Sequence, residues 1–110
     1  MVDRMENAHY SETRSYSDSL IDRIDALEAW GTAPVAVHEA LERCRADIEF
    51  AARWAPLPDD FTPADLSRIA RRKRSLMRGV WAMSPPRRAY LARCLLALAD
   101  RTISRAEAAS

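Results

Sequence analysis

The amino-acid sequence predicts an all-α fold, and three observations carry that expectation. Only 2 of the 110 residues are glycine, which leaves little material for hairpin turns. Alternating runs of Val, Ile, Thr and aromatic residues are absent, so strands have no support. Apolar residues recur instead at three- and four-residue steps in four segments, the period of helices with one buried face. With 48% apolar and 7% aromatic residues, the chain can build one modest core of Leu, Ile, Val and Ala. The architecture expected is a small antiparallel bundle of four helices with short connections. The alternative is a three-helix core with a loose first helix.

Residues 1–16 are polar and aperiodic and are expected to form a flexible N-terminal tail, with Tyr10 and Tyr16 as candidates for ordering part of it. A single helical domain then spans 17–106, followed by a frayed end over 107–110. The first helix is expected to start at Ser17 or Ser19 and run to Trp30, with Leu20, Ile24 and Leu27 on one stripe, Asp18, Asp22 and Asp25 opposite, and Gly31 as its stop. The second opens around Thr32-Ala33-Pro34 and ends at Trp54, before Pro56-Leu57-Pro58. Val37, Leu41, Cys44, Ile48 and Ala51 form its seam. Phe50 and Trp54 fall together on a separate flank, either a second core face or the anchor of a protein interface.

Thr62-Pro63-Ala64-Asp65 is the best-marked helix start: Thr62 caps, Pro63 suits the first position and Asp65 reaches back. That third helix is expected to reach Met83 on a stripe of Leu66, Ile69, Leu76 and Val80. Ser84-Pro85-Pro86 ends it and starts a fourth, since prolines are tolerated only in a first turn. Leu91, Cys94, Leu95, Leu96, Leu98 and Ile103 cover so much of the fourth helix that it should be the most buried. Trp81 is read as packing near a helix end.

Several function classes find no support. No stretch approaches the roughly 18 to 20 apolar residues of a membrane span, and Met1–Ser19 lacks the apolar core of a signal peptide, so a cytoplasmic location is expected. Cys44 and Cys94 lie far apart on two core-facing seams and are expected as reduced, buried thiols. His9 and His38 have no second His or Cys at ligand spacing, and Asp59-Asp60 reads as a loop feature, so neither a metal, a cofactor nor an enzyme is expected.

Charge is the informative property. Residues 1–60 hold six arginines against thirteen carboxylates, whereas 61–110 hold eleven basic residues against three acids. Sixteen of the seventeen basic residues are arginine, and with the abundant alanine this points partly to codon usage in a GC-rich genome. Helix two balances itself through four-residue pairs, Glu39 to Arg43, Arg45 to Glu49 and Glu49 to Arg53. The third helix does not. Between 67 and 88 stand Arg68, Arg71, Arg72, Lys73, Arg74, Arg78, Arg87 and Arg88 without one acid.

Projection places Arg68, Arg71, Arg72, Arg74 and Arg78 on one outward arc, with only Asp65 close enough to pair with Arg68. Lys73 falls instead within the apolar stripe, where it snorkels, pairs across the bundle with an acid such as Asp47 or Asp25, or fixes helix register. The arc, with Arg87 and Arg88, is the expected partner-binding surface. Its partner is a nucleic acid or nucleoprotein complex, or an acidic protein surface, with a homodimer docking acid on base as a further possibility. The expected role is an accessory protein, adaptor or inhibitor acting as a regulator of a larger assembly.

The run Met83-Ser84-Pro85-Pro86-Arg87-Arg88-Ala89-Tyr90-Leu91, followed by Thr102-Ile103-Ser104-Arg105-Ala106-Glu107-Ala108, resembles the opening of the promoter-binding helix-turn-helix region of sigma factors. The resemblance covers less than a third of the chain. It carries no sigma function here.

Overall fold

A computed structural model describes the backbone of residues 2–29, 31, 33–54 and 62–109, and side chains within these from Tyr16 onward. Helix α1 spans Val2–Ala29, α2 Val35–Ala51, α3 Pro63–Arg78 and α4 Pro85–Ala109, with a single 3-10 turn at Val80–Ala82. No strand occurs among the described residues. The Trp30 end of the first helix, Thr32, the Pro56-Leu57-Pro58 breaker, Asp59-Asp60, the His9 and Tyr10 side chains and Ser110 lie outside them.

The first helix corrects the expected boundary at Ser17. It begins at Val2, so the segment read as a tail has helical backbone. The sequence holds no Gly or Pro between Val2 and Trp30, and each residue added to an existing helix gains a hydrogen bond without a new nucleus. Ser17 caps nothing. It is 3% exposed, and its hydroxyl has no partner. Gly31 does stop the helix, donating its N–H to the Glu28 carbonyl (3.1 Å) in the left-handed region at φ 65°.

Pro34 is the N-cap of α2, and its carbonyl accepts from the N–H groups of Val37 and His38. Regular helix ends at Ala51, with Arg53 and Trp54 held by turn hydrogen bonds to Phe50 and Ala51. In α3 the expected capping box is complete: Asp65 N–H donates to Thr62 Oγ1 (3.2 Å), and Thr62 N–H donates to Asp65 Oδ2 (3.1 Å). This helix stops short of Met83 because Gly79, a weak helix former, takes the C-cap. The 3-10 turn that follows is tighter and carries Val80 into the core.

The core joins Leu20 and Ile24 of α1, Leu41, Cys44, Ile48 and Ala51 of α2, Leu66 and Ile69 of α3, and a broad face of α4 from Leu91 to Ile103. Each aliphatic side chain fully buried here contributes about 1.5–3 kcal/mol. Helix α4 packs on all three others, whereas α3 rests mainly on α4 and the 3-10 turn. The peripheral helix is therefore α3, and α1 is well anchored, contrary to the three-helix alternative. Tyr16 meets Asp100 while Arg23 reaches on to Glu107, so α1 and α4 run in the same sense. Trp54, in the turn after α2, lies by Arg88 at the opposite end from the Cys44–Thr102 contact, so α2 runs against α4.

Candidate cationic interface

The three acids of the basic half are all engaged. Asp65 serves the cap and accepts from Arg68 (2.9 Å), and its carboxyl lies below the usual range because of the hydrogen bonds from Thr62. Arg23 crosses from α1 to α4 and grips Asp100 (2.9 Å), Glu107 (2.7 Å) and the Ser104 hydroxyl (3.1 Å). Tyr16 donates its hydroxyl to the other oxygen of Asp100 (3.0 Å). Burial and the adjacent Asp100 charge push the Tyr16 phenol up to about 12. Burial works to raise the Asp100 carboxyl, but hydrogen bonds from Arg23 and Tyr16 outweigh it and hold the carboxyl low.

Of the roles expected for Lys73, the carboxylate pair is the one formed. Its ammonium donates to Asp47 Oδ2 at 2.7 Å, so it pairs across to α2. The Asp47 carboxylate is thereby used by Lys73 rather than by the arginines. Among the described residues, Arg71, Arg72, Arg74, Arg78, Arg87, Arg101 and Arg105 are exposed and make no ion pair.

The packing of α3 on α4 divides the expected arc into two flanks. Arg71 shares a groove of about 530 Å³ with Lys73, Ser67, Asp47 of α2, and Arg101, Thr102 and Arg105 of α4. Arg68 and Arg72 line the other flank, a groove of about 310 Å³ completed by Leu76, Met83, Arg87 and Tyr90. Arg101 and Arg105 were missed in the sequence because they stand outside the acid-free window. Their four-residue spacing, which puts both on one side of α4, was the available signal.

Two of the expected contact residues have other work. Arg68 is bonded to Asp65, although it stays 58% exposed. Arg88 is a structural buckle: it donates to the carbonyls of Val80 (3.1 Å), Trp81 (3.2 Å) and Met83 (2.9 Å). The bend after α3 leaves carbonyls at the end of the 3-10 turn open to a side-chain donor, and the Val80 carbonyl accepts from Met83 N–H (3.2 Å) as well. Its guanidinium also lies 4.8 Å from the Trp54 ring centre and 5.4 Å from that of Trp81.

Phe50 and Trp54 are half-buried against Trp81, and Arg88 of α4 lies over the Trp54 ring. Trp81 meets both rings edge-on, at 6.0 Å from Phe50 and 5.7 Å from Trp54. It remains 64% exposed, more than packing near a helix end implied.

The acidic half also pairs internally, more than its outward projection suggested. Arg45 turns from Glu49 to α1 and donates to Asp25 (2.6 Å), with Glu28 at 3.5 Å and Glu42 at 3.7 Å. Glu28, His38 and Glu42 bring potential ligand atoms within 4.8 Å of one another, a grouping that needs α1 beside α2 and so is invisible in sequence. The Glu42 carboxyl and partial burial lift that of Glu28 above its usual range. Arg45 pairs with the two carboxylates of this cluster. Cys44 and Cys94 are free thiols in the core, raised in pKa by burial. No helix of the described residues is long and apolar enough to cross a membrane. No family model, curated protein or solved structure matches the chain.

Proposed function

We propose that this chain is a non-enzymatic, cytoplasmic binding protein that contacts nucleic acid, alone or within a nucleoprotein assembly, through the arginine face of α3. One observation carries the reading: Arg71, Arg72, Arg74, Arg78 and Arg87 stand exposed without an acid, while the nearby carboxylates are engaged elsewhere. Keeping like charges together has an electrostatic cost that an anionic partner removes. Phosphates suit the planar guanidinium, which offers two parallel donors, and condensed counterions are released on contact. The mechanism is occupancy, which fits an accessory, adaptor or inhibitory role in a larger assembly.

Anisotropy titrations of a labelled duplex and a labelled single strand against salt test this. Up to five phosphate contacts give a slope of log K on log salt of about −4 to −5 for duplex, at about 0.9 per phosphate. Arg71→Glu/Arg74→Glu should abolish binding at moderate salt. Absence of binding at low salt, or no response to that double change, overturns the reading.

The exposure of Trp81 over Phe50 and Trp54 favours one competing reading, a protein-only or self-associating module. Sedimentation then shows a dimer that Trp81→Ala dissociates, with no nucleic-acid binding.

A further inference from the structure

We infer that the groove between α2, α3 and α4 is a binding site for a small organic diphosphate. Three arginines from two helices line it: Arg71 from α3, and Arg101 and Arg105 one turn apart on α4. Its one lysine and one carboxylate, Lys73 and Asp47, cancel each other at 2.7 Å. The remaining balance is three positive charges around one concavity. Like charges one turn apart on a helix repel, and no described acid answers any of the three arginines. An anion bound between them relieves that repulsion.

The chemistry of that anion follows from the lining. A terminal phosphate carries about −1.5 to −2, and a second phosphoryl group adds another charge, so a diphosphate matches the three guanidiniums. Arginine pairs bidentately with phosphoryl oxygens, and Ser67 on the exposed side adds a hydroxyl donor. Thr102 adds none, since its hydroxyl donates to the Leu98 carbonyl at 3.1 Å. Cys44, Ala70, Leu98 and Ala99 provide an apolar wall for the organic part. The volume of about 530 Å³ falls within the range of small-molecule sites. This site shares Arg71 with the nucleic-acid face and is distinguished from it by Arg101 and Arg105, which belong to α4 and lie outside the α3 arc.

Calorimetric titration of the full chain at about 0.15 M ionic strength tests it with ADP, inorganic pyrophosphate, AMP and sulfate. ADP and pyrophosphate should bind saturably at one site, ADP at least as tightly as pyrophosphate, and AMP about tenfold or more weaker. Arg101→Gln/Arg105→Gln should weaken ADP by about tenfold or more. Arg43→Gln/Arg53→Gln, the same charge change at exposed positions on α2 and in the turn that follows it, should leave it unaltered. Arg101 and Arg105 are exposed, so the variant should keep its helical circular dichroism, and Arg71→Gln provides a second route through α3. No saturable binding, sulfate as tight as pyrophosphate, or equal loss in both double variants overturns the site. Duplex titrations of Arg101→Gln/Arg105→Gln separate the two proposals: retained duplex binding with lost ADP binding supports the groove, and lost duplex binding with unchanged ADP binding refutes it.

Discussion

Arg88→Ala is the most informative single change, because it separates a structural arginine from those that face outward. The substitution deletes the hydrogen bonds to the Val80, Trp81 and Met83 carbonyls and a cation lying on two indole rings. A hydrogen bond to a charged group contributes about 1.5–3 kcal/mol where water is excluded. Here the bond to Trp81 lies at the surface and all three acceptors regain hydration when the guanidinium is removed, so the three bonds together contribute about 1.5–3 kcal/mol rather than that amount each. The cation on the rings adds about 0.5–1 kcal/mol at such an exposed place. The expected loss is about 2–4 kcal/mol, or a fall in Tm of roughly 10–20 °C for a domain of this size. Urea unfolding followed by circular dichroism and tryptophan emission measures it, and Trp54 should shift to the red as its cover leaves. Arg88→Lys should recover less than half, since one ammonium cannot span three carbonyls. A loss below about 0.5 kcal/mol, or full recovery by lysine, would refute the buckle.

Three further outcomes follow from the same geometry. Lys73→Met strands Asp47 at the α2–α3 contact and should cost about 1–2 kcal/mol, while Lys73→Met/Asp47→Leu should restore most of it; a rise in Tm from Lys73→Met alone would contradict this. Stability should fall at both pH extremes. Asp100 and Glu107 have depressed carboxyl pKa values, so their contribution is present above the ordinary carboxylate range and is lost as pH falls through the folded values. Tyr16 is raised to about 12, so its contribution is complete below the ordinary phenol value near 10 and is lost as pH rises towards 12. Replacing Tyr16 by Phe should remove that alkaline dependence, read from pH-dependent melting and tyrosinate absorbance. Finally, Cys44 and Cys94 should react with a disulfide reagent in native buffer far more slowly than in urea, because both are buried with raised pKa values; rapid native labelling would show that the core opens locally.

What the sequence determined by itself is local in its physics. Helical periodicity, the Thr62–Asp65 capping box, the Gly31 stop and the Pro85-Pro86 entry each depend on residues within a turn or two of one another. They could be read without knowing what lies across the bundle. The excess of arginine over acid in the second half is equally legible, because it is a count.

The start of α1 was less so. Cap signals at Ser17 and Ser19 compete with an unbroken run of helix-compatible residues, and burial of the Ser17 position overrides its capping preference.

Tertiary structure decided which charges are spent. Arg23 reaches Asp100 and Glu107, Arg45 prefers Asp25 to Glu49, and Lys73 finds Asp47, because side chains far apart in sequence become closer than those one turn away. The same packing turned Arg88 inward over Trp54 and Trp81, and set Arg101 and Arg105 opposite Arg71. Charge interactions fall off with distance and follow the geometry of the whole chain, so the arginines left facing outward emerge only once the helices are packed.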